Sequence, residues 1–464
     1  MFPTSVGVFP MDPVVIAGGG LSGLAAAVGL SSHAIPVLLL EQRRTLGGRA
    51  YSFRDTETGE TIDNGQHVLI AGYDRTIGFL ETIGTRHLLS VQGRPTLLFH
   101  HPERGFREFS LPFLPPPWNL AMGVLTSDLL PLADRWRMLR AGYDIQKMSV
   151  EREEAVAELT VDAWLDSIGQ SAESKRSFWE PLAVSIMNEH INRASAAVLV
   201  HSLRTAFLGR RDTASLALPT VGLSTLYVDA AVHYITSRRS IVRCNAGVSG
   251  LRVTSGAVSH VLLRDRTVIP CSAAILALPP KDTYALLPQE LRQNPSLEGI
   301  LGLEVSPIIS IHLWFETDFM PQQVLALVGR RVQWVFNRRK ICGDRREEGG
   351  HLSATISAAH DLVGMTNEAI IRIATEELTG VFGADALRPL RALVIREKRA
   401  TFSPTPAAER LRPDQRTSIS NLFLAGDWTA TGYPATIEGA VMSADRCVEL
   451  TCNILRARNV AFYG

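Results

Sequence analysis

Gly18, Gly20 and Gly23, in the spacing G-x-G-x-x-G, with Glu41 standing 18 positions after the last of them, are the residues of this chain best suited to bind a charged cofactor. Each glycine has its own physical task. Gly18 allows a tight turn out of a strand, Gly20 lets the backbone approach a pyrophosphate, and Gly23 lets the next helix pack close to the sheet. The first turn of that helix, from Leu21 and Ser22, offers free N–H groups and a positive dipole end to the anion. Glu41, followed by Gln42, can accept hydrogen bonds from a ribose diol. Glycine-rich turns also occur in purely structural βαβ units, so the argument rests on the complete set of strand, turn, helix, strand and terminal acid.

The elements that must position these residues are legible around them. VVIA precedes the turn, LAAAVGLSS continues it as a helix, and VLLLE is the second strand. After Glu41, Gly47 and Gly48 turn the chain back toward the pyrophosphate, where Arg49 can neutralise charge through hydrogen bonds strengthened by ionisation. A second signature lies near the far end. An apolar strand over residues 422–425 delivers Gly426 and Asp427, and a helix starts near Ala435, Thr436 and Ile437. An acid at that strand end suits a ribityl hydroxyl, and the helix dipole would stabilise an anionic reduced flavin ring. Two such signatures, one at each end of the chain, favour FAD over NAD.

With 464 residues the chain is long enough for two or three domains, and 46% hydrophobic against 20% charged residues describes an ordered protein with a large core. Its formal net charge of +1 supplies no basic excess for nucleic acid. Five scattered cysteines without metal-like spacing indicate a reducing, cytoplasmic setting. No uninterrupted apolar run reaches the roughly twenty residues that span a bilayer.

Strands alternating with helices from residue 14 imply a parallel sheet, a helical region covers about residues 119–208, and residues 241–278 read as a β-meander. The predicted fold class is α/β: a Rossmann-like FAD-binding domain of the glutathione reductase type, with a discontinuous α+β substrate domain. Residues 1–85, 230–290 and 395–464 are assigned to the cofactor domain, and 86–229 and 291–394 to the substrate-binding lid. The stretch 111–140 is apolar, with Trp118, Trp136 and flanking arginines. It suits an ordinary helical pair covering the core, and also a segment resting at the inner face of a membrane. The charged run RRKICGDRREE from Arg338 reads as a solvated loop.

Taken together, the G-x-G-x-x-G unit, the acid followed by GGR and the terminal GD strand-helix resemble the flavin-containing amine oxidase and phytoene desaturase superfamily. ETIDNGQHVLIAGY (60–73), FWEPLAVSIMN (178–188), REKRATFSPTP (396–406) and LAGDWTATGYPATIEGAVMSA (424–444) resemble one branch of it more closely. That branch is the hydroxysqualene dehydroxylases, the squalene-associated FAD-dependent desaturases of bacterial hopanoid pathways. The likeness runs over nearly the whole chain, and it adds Gly65, Gln66 and Val248 to the residues expected at FAD. One departure is Tyr433, where a smaller aliphatic residue is expected.

The resemblance implies reductive removal of a hydroxyl from a long isoprenoid alcohol in an apolar tunnel. Hydroxide leaves poorly, so a proton donor is required. His67 and Asp63, in a loop expected beside the flavin, and Tyr433 at its other edge are the candidates, each with an ordinary structural role as the alternative. Glu438 suits a first-turn acid complementing a helix dipole or contacting a neighbouring loop, and Lys398 suits an ion pair. No second G-x-G-x-x-G unit marks a nicotinamide domain, so NADPH docking transiently or a separate reductase must supply electrons. Two further readings are carried. Desaturation or amine oxidation would run the same scaffold oxidatively, the latter with Trp428 and Tyr433 as an aromatic cage. A non-catalytic isoprenoid-binding relative would have lost the flavin contacts that are intact here.

Overall fold

Four short apolar runs, Val14–Ala17, Val37–Leu40, Ala273–Leu276 and Leu422–Leu424, are buried on both faces and lie side by side as parallel strands. Such continuous aliphatic runs are stable only when both faces are covered. Alternation along the strands assigns the layers. Val14, Ile16, Val37 and Leu39 pack against helices Leu21–Ser32 and Ile437–Tyr463, while Val15, Ala17, Leu38 and Leu40 pack against Val258, Val261 and Leu263 of an antiparallel meander. The computed structural model from which these contacts are read describes residues 11–148, 150–343, 349–383 and 388–463.

The segment read as one meander is divided in the structure. Ile241–Arg243 forms the edge of the parallel sheet beside Val37–Leu40, and Ala273–Leu276 enters its centre between Val14–Ala17 and Leu422–Leu424. Val248–Thr254, Ala257–Leu263 and Val268–Pro270 alone form the antiparallel meander.

A second sheet of seven strands runs in the order Arg391–Phe402, Val305–Phe315, Gly350–Ile356, Trp334–Asn337, Val324–Leu327, Thr96–His101, Gly105–Ser110. Helix Asn367–Phe382 contributes Ile370, Ala374 and Leu378 to its core. Helices from Trp118–Thr126 to Ala196–Leu208 gather around Trp164, Phe178 and Trp179. Two expected domain boundaries cut through elements. The strand Arg391–Phe402 pairs along its length with Val305–Phe315, so 395–402 belong with the seven-stranded sheet. Residues 224–236 form one helical stretch, opening with a wide π-type turn, across the boundary at 229/230.

The first part of the charged run is helical, not a solvated loop: Arg338–Cys342 is a short helix with Arg338 buried. Residues 344–348 of that run lie outside the described residues. Among the described residues no helix is long and apolar enough to cross a membrane.

Candidate functional site

The glycine cradle is built by steric necessity. Gly18 has φ +109°, and a Cβ there would come within 2.2 Å of the Ala277 carbonyl oxygen; a Cβ on Gly23 would come within 1.9 Å of the Gly18 carbonyl oxygen. Only glycine permits that approach of helix to strand. Glu41 is held by two backbone donors, the Gly19 N–H to Oε2 and the Arg43 N–H to Oε1, each at 2.8 Å. The second glycine pair folds onto the first, with the Gly47 N–H donating to the Gly19 carbonyl at 2.8 Å and Gly20 beside Gly48. Leu21 and Ser22 are buried in the first turn of the helix, Gln42 is exposed beside Gly247, and Val248 opens the meander opposite Leu263.

Both ends of the chain meet here. Arg49 Nη2 donates to Asp427 Oδ1 at 2.7 Å, and its Nη1 donates to the Ala400 carbonyl at 2.8 Å. Asp427 holds the guanidinium pKa above its usual range. The two residues were expected to serve separate parts of the cofactor; pairing makes them close to charge-neutral together, so the pyrophosphate charge falls largely to the helix N–H groups. Beyond them the Gly426 N–H donates to Ser443 Oγ at 3.0 Å. Thr436 Oγ1 accepts from the Gly439 N–H at 3.1 Å and so caps the last helix, which begins at Ile437 after the half-buried Ala435.

The Asp63–His67 turn is anchored from the seven-stranded sheet. Asp63 Oδ1 accepts from Ser52 Oγ at 2.7 Å and from the Leu223 N–H at 2.9 Å, while Oδ2 pairs with Arg338 Nη2 at 3.2 Å. Both side chains are almost wholly buried, at 2% and 6% exposure. Arg338 Nη1 also donates to Gln66 Oε1 at 2.5 Å, and a Cβ on Gly65 would approach Ser310 Oγ to 2.8 Å. These contacts give Asp63 an anchoring role: through Oδ1 it ties the turn to Ser52 and the Leu223 backbone, and through Oδ2 it faces Arg338.

His67 Nδ1 lies 3.0 Å from the Gly65 carbonyl, which assigns the proton to that nitrogen and leaves Nε2 as the reactive one. Burial lowers its pKa, so the neutral ring dominates at neutral pH. Tyr433 stands edge-on to His201 with ring centroids 5.4 Å apart, and burial raises its pKa, which keeps the phenol protonated. Its neighbour Gly432 lines a cavity of about 280 Å³, whose wall combines Met148, Val156, Val198 and Val200 with Glu153, His201, Arg204 and Glu409.

Several residues that sequence reasoning passed over hold this site. His312 Nε2–H donates to the Asp63 carbonyl at 3.2 Å, its Nδ1 lies 3.1 Å from His351 Nε2, and His351 Nδ1 lies 3.2 Å from Glu60 Oε2. Burial works to raise the Glu60 pKa, but hydrogen bonds from His351, Arg339 and Trp314 outweigh it and hold the group at about 2. Burial pulls His312 down to about 3. In the REKRATF string the inward residue is Glu397, half-buried near Arg49 and hydrogen-bonded to Asn64, with its pKa raised by burial; Lys398 is exposed. The only sequence signal for these was the family likeness of the strings that contain Glu60 and Glu397.

Glu438 is structural. Its two oxygens accept from the N–H groups of Arg75 and Thr76 at 3.0 and 2.9 Å, capping helix Asp74–Thr82 from across the interface. Trp428 is 2% exposed and donates its indole N–H to the Leu278 carbonyl at 3.0 Å, so it forms no wall of an aromatic cage.

A parallel sheet carrying a glycine cradle, joined to a larger mixed sheet that supplies the opposing wall, defines a flavoprotein oxidoreductase. The chain belongs to the family of flavin containing amine oxidoreductases, whose model matches residues 21–451. It is similar to the hydroxysqualene dehydroxylases of Sinorhizobium fredii (30% identical, covering 94% of this chain and 97% of the relative) and Rhodopseudomonas palustris (30%, covering 96% and 99%). Among solved structures it resembles an oxidoreductase from Methanosarcina mazei, with a TM-score of 0.72 at 16% identity over 94% of this chain and 100% of that one. The protein is an FAD enzyme, and the cradle fits that cofactor: Gly20 and Gly48 lie side by side without side chains at the start of the helix, leaving backbone N–H groups open to a pyrophosphate.

Proposed function

We propose that this enzyme reductively removes the hydroxyl of hydroxysqualene to give squalene, a step of hopanoid synthesis. The observation that carries the reading is the 30% identity to hydroxysqualene dehydroxylases over at least 94% of the chain, which includes the substrate domain as well as the shared cofactor contacts. The burial of Trp428 counts against amine oxidation through an aromatic cage.

In this reaction the C–O bond breaks, the oxygen takes up a proton and leaves as water, and the allylic carbon gains a hydride. Reduced FAD supplies the hydride equivalent when bound. The chain's own residues supply the rest. The Asp63–Arg338 pair fixes the turn that carries His67, and the Gly65 carbonyl fixes the orientation of its ring. Neutral His67 carries its proton on Nδ1, so Nε2 must first take up a proton from solvent; burial disfavours the resulting imidazolium and makes it a ready donor to the departing oxygen. The Tyr433 phenol, kept neutral by burial and standing beside Thr205 and His201, can donate a hydrogen bond to the departing oxygen. Electrons reach the flavin from NADPH docking transiently or from a separate reductase.

The test is anaerobic. Holoprotein reduced in advance and mixed with hydroxysqualene should recover its oxidised-flavin absorption, with one squalene formed per flavin. Flavin that stays reduced would sink the reading, and bleaching of the oxidised enzyme by a primary amine would replace it with amine oxidation.

A further inference from the structure

The helical hairpin formed by Trp118–Thr126 and Leu132–Gln146 has two different faces. Val124, Met138, Ala141 and Ile145 point inward and join the core around Trp164 and Trp179. The outer face carries Trp118 at 65% exposure, Leu132 at 69%, Trp136 at 66% and Tyr143 at 61%, and Phe113, in the segment leading into the first helix, is 66% exposed. Of the fourteen large apolar side chains that are exposed among the described residues, five (Trp118, Met122, Leu132, Trp136 and Tyr143) belong to the two helices of this hairpin, and Phe113 and Leu114 stand just before it. The contrast among tryptophans is sharp: Trp164, Trp179, Trp314 and Trp428 are buried, whereas both hairpin tryptophans face outward.

Charge follows the same division. On the helix Leu132–Gln146, Asp134 is buried and paired with Arg137 at 2.7 Å, while Arg137 and Arg140 are exposed among Leu132, Trp136 and Tyr143, as is Lys147 at the helix end. The outward aromatic ridge is thus bordered by cations. A surface of tryptophan and tyrosine with arginine beside it matches the interface of a lipid bilayer, where the rings sit at headgroup level and the guanidinium groups meet phosphate.

We propose that this hairpin docks the enzyme on a lipid bilayer, with Phe113, Trp118, Leu132, Trp136 and Tyr143 entering the headgroup region and Arg140 and Lys147 facing lipid phosphates. Docking itself does not depend on the reaction proposed above, because it is read without turnover.

Holoprotein is sedimented with vesicles of phosphatidylcholine and phosphatidylglycerol in equal amounts, alongside a Trp118→Glu/Trp136→Glu variant and a Leu390→Glu control, which alters an exposed leucine outside the hairpin. The wild type and the control should partition to the vesicles, and the double variant should do so at least about tenfold less while keeping its flavin absorption and thermal midpoint. A wild type that stays in the supernatant, or a double variant that binds equally, overturns the proposal. So does a vesicle-free sedimentation run in which the wild type is a dimer and the double variant a monomer, with neither binding lipid: the ridge would then be a contact between copies of this chain.

Discussion

At the scale of single residues, the site is governed by which charges are paired. Asp427 is 5% exposed and faces Arg49. Asp427→Ala removes an acceptor for the ribityl chain and leaves the guanidinium without its partner, so FAD should bind about ten- to a hundredfold more weakly, the range of one or two charge-assisted hydrogen bonds. Unchanged flavin occupancy after gel filtration would remove Asp427 from the cofactor contacts. His67 has no such structural load, since its one hydrogen bond goes to a carbonyl two residues away. His67→Ala should therefore lower hydroxysqualene turnover by about a hundredfold, the span of general acid catalysis, and leave FAD affinity within about twofold. Equal turnover would pass the role to Tyr433. Asp63, the third sequence candidate, anchors the turn through Ser52, the Leu223 backbone and its charge contact with Arg338.

Elements are joined at this site by caps that cross between them. Glu438 lies in the first turn of the last helix, where an acid complements that helix's own dipole, yet its oxygens close the N-terminus of helix Asp74–Thr82. One buried carboxylate thereby satisfies the end of a second helix, and burial raises its pKa. Glu438→Ala should cost about 1–2 kcal/mol of stability, as loss of an N-cap does. The loss should show in urea unfolding, together with faster amide exchange in residues 75–77. Exchange there at the wild-type rate would mean that the helix end is held by something else. The helix could be placed from sequence, and so could the acid; their meeting could not, because neither spacing nor periodicity relates positions so far apart in the chain.

Across the whole molecule, the seven-stranded sheet is linked by buried charge to the two-stranded ribbon of Ser52–Arg54 and Thr61–Asp63 that follows the glycine cradle. Arg338 comes from the seven-stranded side and Asp63 from the turn beside the cofactor cradle. Arg338→Met leaves a buried carboxylate unpaired and should destabilise the holoprotein by about 3–5 kcal/mol, whereas Arg338→Met with Asp63→Asn should recover most of that loss. Comparable urea midpoints for the wild type and the single variant would show the pair to be energetically idle. Acid should act on the same junction. His312 is buried neutral with its pKa at about 3, so as pH falls below 6.5 the unfolded chain binds a proton that the folded one refuses. Glu60 is held at about 2, so its stabilisation is complete above 4.5 and is lost as pH falls through 2. Stability should therefore decline below pH 6.5 by about 1.4 kcal/mol per unit for His312, and more steeply below 4.5. His312→Gln should flatten the upper part of that decline in urea midpoints measured from pH 7 to 4.

What the sequence determined by itself was the cofactor cradle and the sheet that carries it. Gly18 and Gly23 are required by contacts with backbone only a few residues away or in the adjoining strand, and the short apolar runs announce their burial through their own composition. Tertiary structure alone decided the partners of the charged residues. Arg338 and Arg339 look solvated in sequence because a run of charges carries no information about what folds over it; Asp63 and Glu60, from a distant part of the chain, turn them into anchors. The hairpin 118–146 shows both limits at once. Its periodicity foretold helices, but which tryptophans would face the core and which would face outward was settled only when the rest of the chain had covered one side.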